Sequence, residues 1–195
     1  SCEFAIEALK NPVKFEPINC GPGVNTAAPE YFPAITADEN QLLFTRLIPD
    51  SRVPQQLGGK QEDFYISEAG DGNWKTAKSI GGSINSVFNE GAPTFSADGK
   101  VLIFTACELM DQGYGENRRG AGSCDLFYAV KQGGIWSAPG NLSSPINTWD
   151  WESQPSYSAD GKTLYFVRGK RRKQARRDPK EQDIYVSHYD SKNGW

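Results

Sequence analysis

Apolar residues along this chain fall into short runs that come in pairs, and the pairs recur. Leu42-Leu-Phe-Thr-Arg46, Val101-Leu-Ile-Phe-Thr105 and Thr163-Leu-Tyr-Phe-Val-Arg168 are each followed by a second run headed by aspartate: Asp63-Phe-Tyr-Ile-Ser67, Asp125-Leu-Phe-Tyr128 and Asp183-Ile-Tyr-Val-Ser187. The runs are rich in β-branched and aromatic residues and apolar at both parities, the pattern of strands covered on both faces. Before each pair stands the same segment, Glu30-Tyr-Phe-Pro-Ala-Ile-Thr-Ala-Asp38, then Glu90-Gly-Ala-Pro-Thr-Phe-Ser-Ala-Asp98, then Glu152-Ser-Gln-Pro-Ser-Tyr-Ser-Ala-Asp160, at spacings of 60 and 62 residues.

The periodicity extends further. Trp74, Trp136 and Trp195 follow the aspartates by 11, 11 and 12 residues, and Asn25, Asn85 and Asn147 each precede the next repeated glutamate by 5. Each unit therefore reads as four strands, with the fourth, outer strand after each tryptophan (Trp74 to Ile80, Trp136 to Leu142). Asp98-Gly99 and Asp160-Gly161 predict tight primed hairpin turns, because that pair accepts positive φ. Asp38-Glu39-Asn40 departs from the pair and predicts a looser turn.

Phe15 to Asn25 aligns with Trp136 to Asn147 once one residue of spacing is allowed, so residues 13–25 are expected to be an orphan outer strand. Cys2 to Lys10 has a helical pattern with Cys2, Ile6 and Leu9 on one side, stopped by Asn11-Pro12. The expected organisation is the end of a preceding helical domain at 1–12 and a β domain at 13–195, with units at about 30–82, 90–144 and 152–195. The fold class is all-β: four-stranded antiparallel units stacked as the blades of a β-propeller. About three blades fall short of the roughly four to eight of a closed ring, so the ring is expected to be incomplete, its native polypeptide either continuing or cut back.

Composition agrees: 20 glycines, 12 prolines and one methionine suit a turn-rich β protein. The net charge of −3 conceals an asymmetry, because residues 168–181 hold eight basic residues against Asp178 and Glu181 and leave the rest acidic. No apolar run approaches the roughly 18 residues of a membrane span. Four cysteines without C-x-x-C spacing, and one histidine, argue against a zinc site, and no metal or cofactor is expected. Cys107 and Cys124 lie at the edges of successive candidate strands, which a hairpin would bring side by side. The alternatives are a disulfide, implying an oxidising compartment, or two buried thiols.

The signature P-x-(F/Y)-S-A-D-G-K, then L-x-F and D-(I/L)-(F/Y)-(Y/V), resembles the TolB-like, WD40-like propeller repeat. Cys2-Glu-Phe-Ala-Ile, Glu30-Tyr-Phe-Pro, Ser123-Cys124-Asp125 and Trp151-Glu-Ser-Gln-Pro155 are similar to envelope proteins that place tetratricopeptide repeats before the propeller and an OmpA-like domain after it, including a PorE-like group associated with type IX secretion. The resemblance implies a periplasmic, outer-membrane-associated scaffold. Its partners would be envelope or secretion-system proteins, with peptidoglycan reached through a domain outside this chain.

Recurrence in every unit points to structural rather than catalytic work for Glu30, Glu90 and Glu152, and for Asp63, Asp125 and Asp183. His188 has no Gly-x-Ser-x-Gly elbow to pair with. Gly113-x-Gly115 and Gly120-x-Gly122 sit in a loop, fail the context test for phosphate binding and read as flexible turns. No catalytic residue is expected. Trp149 and Trp151 break the repeat. Strand alternation puts them on the face that carries the long second-to-third-strand loops 48–62, 108–123 and 169–182, where binding usually lives. The expected binding face combines Trp149 and Trp151 with Arg118, Arg119, Lys170, Arg171, Arg172, Lys173, Arg176 and Arg177. An acidic chain overall disfavours nucleic acid. The expectation is a non-catalytic interaction or scaffolding module; the alternatives are a carbohydrate-binding propeller and the propeller domain of a hydrolase.

Overall fold

The computed structural model describes residues 2–12, 14–55, 58–108, 113–115, 117–170, 181–192 and 194–195. The expected N-terminal helix is present as α1 (Cys2–Lys10), and Asn11 closes it by donating its backbone N–H to the Glu7 carbonyl at 3.1 Å. Pro12 cannot continue it. Phe4, Ile6 and Leu9 stay exposed along α1.

The rest is β. The first unit comprises β1 (Glu30–Ile35), β2 (Gln41–Pro49), β3 (Lys60–Gly70), β4 (Asn73–Trp74) and β5 (Lys78–Ser79). The second repeats it as β6 (Asn89–Phe95), β7 (Val101–Cys107), β8 (Cys124–Gln132), β9 (Ile135–Trp136) and β10 (Gly140–Asn141). The third has β11 (Trp151–Tyr157), β12 (Thr163–Gly169) and β13 (Gln182–His188). In each, three strands form an antiparallel meander, and in the first two the short pairs β4/β5 and β9/β10 add to the third strand. The second and third units are linked by one parallel pairing, Trp151 opposite Cys124, and the sheets do not close on themselves.

Two expectations need correction. The fourth strand is two short pieces rather than one run: in the first unit Ala77 N–H turns away to the Gly23 carbonyl at 2.8 Å, and in the second Pro139 has no N–H to give. Residues 14–25 form no strand among the described residues, since no third strand lies beside them to pair with.

The units pack through their faces. Leu43 and Phe64 of the first unit meet Leu102, Phe104 and Phe127 of the second, with Phe64 and Phe104 edge to face at 5.5 Å. Ile103 and Leu126 of the second meet Leu164 and Phe166 of the third. Apolarity at both parities in the sequence records this: alternate residues of one strand serve two different interfaces. The first strand of each unit also carries a bulge, at Tyr31/Ala34, Gly91/Thr94 and Ser153/Ser156, where Phe32, Ala92 and Gln154 adopt φ near 53°, 50° and 54°. The bulges bend these strands where Pro33, Pro93 and Pro155 line a shared cavity of about 380 Å³.

The first-to-second-strand turns also differ from expectation. Only Gly99 and Gly161 have positive φ, not their aspartates, and Gly99 donates to the Ser96 carbonyl at 2.9 Å. This is a type I turn with a glycine bulge rather than a primed turn. Asp98 accepts from Ser96 Oγ at 2.6 Å and from Lys100 N–H at 3.1 Å, which holds its carboxyl below the usual range. The expected looser turn at Asp38 is instead the same turn, with the same Thr36 and Asn40 bonds and Glu39 at φ 57°. Glu39→Gly removes a left-handed strain of about 1–2 kcal/mol at some cost in chain entropy. The expected outcome is a net gain of about 0.5–1 kcal/mol in denaturant unfolding.

Candidate functional site

The repeated glutamates head a latch that recurs in all three units. Glu30, Glu90 and Glu152 accept from the backbone N–H four residues earlier, at Thr26, Ser86 and Thr148, over 3.2, 3.0 and 3.1 Å, and from the hydroxyls of the same residues. Each also binds an arginine. Arg46 Nε meets Glu30 at 2.9 Å, and Arg168 Nε meets Glu152 at 2.7 Å, each across the β1–β2 or β11–β12 pairing. The guanidinium reaches on to a carbonyl of the preceding connection, Val24 at 2.7 Å or Ile146 at 2.7 Å, and lies over an aromatic ring. Each latch fastens the incoming connection to its own unit.

In the second unit the strand position of that arginine is Ala106, which pairs with Glu90. Arg118 supplies the guanidinium instead, from the loop after β7. Its Nη1 meets Glu90 Oε1 at 2.5 Å and its Nη2 meets the Ser83 and Ile84 carbonyls at 2.7 and 2.5 Å. The pair is nearly solvent-free, with side-chain exposures of 3% for Arg118 and 0% for Glu90. Burial pushes the Glu90 carboxyl up to about 7, against the pull of Arg118 and Ser86. Arg118 therefore does not belong to the binding surface on which sequence reasoning placed it. The visible signal was the missing arginine at Ala106.

The loop that delivers Arg118 is closed by a disulfide between Cys107 and Cys124, which face each other in the β7–β8 pairing. Asp125 holds it from inside, accepting from Ala121 N–H at 2.9 Å, Gly122 N–H at 3.1 Å, Tyr114 Oη at 3.2 Å and Asn141 Nδ2 at 2.8 Å. Burial beside Asp125 raises the Tyr114 hydroxyl well above its ordinary range. Gly120 and Gly122 are not the flexible turns expected of them. A Cβ at Gly120 would stand 2.2 Å from the Tyr114 ring, and one at Gly122 would stand 1.8 Å from the Asp150 carbonyl oxygen.

That last contact joins the loop to the connection carrying the two repeat-breaking tryptophans. Thr148 and Glu152 tie this connection down, and Asp150 N–H donates to Thr148 Oγ1 at 3.1 Å. Trp149 projects from it with 80% of its surface exposed, while Trp151 is half-buried at the head of β11. Arg119, next in the chain to the buried Arg118, is exposed, and Lys170 pairs with Glu181 at 3.8 Å. Arg171, Arg172, Lys173, Arg176 and Arg177 lie outside the described residues.

The repeated aspartates diverge. Asp125 is fully buried and satisfied by four donors, and Asp183 is exposed. Asp63 is buried with Gln61 Nε2 as its donor at 2.9 Å, and burial raises its carboxyl to about 6, against the pull of Gln61 and Arg52. A folded value above the unfolded one means that the folded chain holds this proton more tightly. Stability from this group is full below about pH 4 and falls as pH rises to about 6. Asp63→Asn is expected to raise unfolding free energy by about 1–2 kcal/mol at pH 7.5 and to change it little at pH 4, allowing for solvent screening at the rim. His188 Nδ1 lies 3.2 Å from Thr163 Oγ1, a cross-strand contact in β12–β13.

No family model matches the chain, and no curated protein matches it. Among solved structures, a TolB-type protein of Agrobacterium tumefaciens superposes with a TM-score of 0.52 at 16% identity, covering 88% of this chain and 49% of that one. A Mycobacterium tuberculosis puromycin-hydrolysing peptidase gives 0.45 at 14%, over 75% and 21%, and TolB of Acinetobacter baumannii gives 0.35 at 18%, over 89% and 44%. This chain spans about half the length of the Agrobacterium protein. The likeness is one of fold: a mostly β chain with a TolB-like neighbour.

Proposed function

We propose that the chain is part of a β-propeller of four-stranded blades that works as a non-catalytic interaction or scaffolding module in a bacterial cell envelope, and that it docks an envelope or secretion-system protein through the face around Trp149. The observation that carries this reading is a large aromatic side chain, 80% exposed, on a backbone fixed from both sides. Rigid, exposed tryptophans are the usual anchors of protein interfaces, since a pre-ordered ring loses little entropy on binding. Glu30, Glu90, Glu152 and Asp125 have their carboxylates committed to internal donors, which supports structural rather than acid–base work. The disulfide fits an oxidising compartment such as the periplasm. An OmpA-like domain elsewhere in the native polypeptide and association with the outer membrane belong to the same proposal.

A photo-crosslinking residue at position 149, in the full native polypeptide in cells, tests it. Discrete adducts with envelope proteins that vanish when the crosslinker sits at exposed Lys78 are expected. Absence of protein adducts, or binding to glycans alone in an array, overturns it in favour of the carbohydrate-binding reading.

A further inference from the structure

Asp63 and Asp125 stand at equivalent places in the third strands of successive units, yet the chain treats their carboxyls differently. Asp125 accepts from four donors, Ala121 N–H, Gly122 N–H, Tyr114 Oη and Asn141 Nδ2. Five residues after its tryptophan the first unit has Ser79 where the second has Asn141, and Ser79 Oγ is engaged by Asn85 Nδ2 at 2.9 Å. Among the described residues the buried Asp63 has one donor, Gln61 Nε2 at 2.9 Å.

Gln61 stands where the other units have Ser123 and Glu181. It is 2% exposed, and its place two residues before Asp63 puts both side chains on one side of β3. Its Nε2 also donates to the Ser86 carbonyl at 3.3 Å, in the connection to the second unit. Both neighbours of Nε2 are acceptors, which fixes the amide orientation and leaves Oε1 as the other atom of the same planar group. Oε1 is buried and has no donor among the described residues. A buried acceptor without a donor is unfavourable, and so is a buried carboxylate with a single neutral one. One proton on Asp63 removes both penalties, because the acid O–H then donates to Oε1 while Nε2 donates back, the reciprocal pair of a carboxylic acid and a primary amide.

We propose that Asp63 and Gln61 form a pH-operated clasp between the first unit and the connection to the second, closed when Asp63 carries a proton and donates it to Gln61 Oε1. When that proton leaves to solvent, the carboxylate keeps the Nε2 bond, but Oε1 loses its donor and the amide is held less firmly against Ser86. Ser86 also closes the Glu90 latch through its N–H and Oγ, so the clasp and the buried Glu90–Arg118 pair meet at one residue. The surrounding charges are engaged elsewhere. Arg46, opposite Asp63 in the β2–β3 pairing, holds Glu30 and the Val24 carbonyl, Arg52 holds Asp50, and Glu62 accepts from Tyr31 Oη. Lys60, at the start of β3, is exposed. Burial raises the Asp63 carboxyl to about 6 against the pull of Gln61 and Arg52, and Asp50 adds to the rise. The clasp is therefore closed below about pH 6 and open above it. Trp149 takes no part, so this inference and its docking role fail separately.

Carbon-13 NMR of the chain labelled at its aspartate carboxyls tests this, since that label leaves Glu90 silent. One signal should titrate near pH 6, above the ordinary carboxylate range, and be missing in Asp63→Asn. The side-chain amide signals of Gln61 should shift with the same midpoint. Asp63→Asn puts an amide N–H where the acid O–H was, so its clasp stays closed at every pH. The Gln61 Nε2 hydrogens should then exchange with solvent equally in wild type and Asp63→Asn at about pH 5. At about pH 8 they should exchange about fivefold faster in the wild type, the worth of one hydrogen bond. The wild-type shifts decide the matter even where the variant fails to fold. An Asp63 carboxyl ionised throughout pH 5 to 8 overturns the proposal, as does one that titrates while the Gln61 amide signals stay unchanged.

Discussion

Replacing Arg118 with alanine is expected to destabilise the folded chain by about 3–5 kcal/mol at pH 8, the range found when one member of a buried ion pair is removed. The Glu90 carboxylate would be left fully buried with only Ser86 as donor, and the Ser83 and Ile84 carbonyls would lose their partner. The carboxyl can escape by taking up a proton. It is already pushed up to about 7 with Arg118 present, so the cost of the substitution should shrink at pH 5. The repeat supplies the decisive control. Arg46 and Arg168 occupy the strand position that is Ala106 in the second unit, and from there they reach the equivalent glutamate. Adding Ala106→Arg to Arg118→Ala should therefore recover most of the loss in chemical denaturation. Failure of that rescue, with the single variant as unstable as expected, would mean that Arg118 matters for packing over Phe104, 5.8 Å from its guanidinium, rather than for the latch.

How far the sequence foretold this is uneven, and the reasons are physical. The meander of each unit was legible, because burial on both faces leaves continuous apolar runs and because tight turns restrict their residues. The Cys107–Cys124 bridge followed from hairpin geometry as one of two alternatives. The Glu39 turn was misread because the side-chain bonds of Thr36 and Asp38 hold the same backbone conformation without glycine. Arg118 was misplaced because a charged residue in a long loop normally faces water; its burial is dictated by a vacancy on a different strand, at Ala106. Gly120 and Gly122 of the same loop read as flexible, when what they mark is close approach to Tyr114 and to Asp150. Strand 13–25 was expected on alignment alone. A strand exists only beside a pairing partner, and among the described residues 14–25 pair with no strand, Gly23 accepting a single backbone bond from Ala77 N–H at 2.8 Å.

Removing the disulfide by Cys107→Ala with Cys124→Ala is expected to lower stability by about 3 kcal/mol, from the lost constraint on an unfolded loop spanning 17 residues of sequence. Reductant should act on the wild-type chain in the same direction and leave the double variant unaffected. A second consequence follows from where Arg118 sits. Its guanidinium reaches Glu90 from a loop whose two ends the disulfide ties to β7 and β8, so opening the bridge makes the reach less favourable. The Arg118→Ala cost should then be smaller by about 0.5–3 kcal/mol in the disulfide-free background, a coupling that a double-mutant cycle reads directly. Moving the guanidinium to the strand with Ala106→Arg should abolish the coupling, because the ion pair no longer depends on the loop. Equal Arg118→Ala costs with and without the bridge would show instead that Asp125, through Tyr114, Ala121 and Gly122, holds the loop in place unaided.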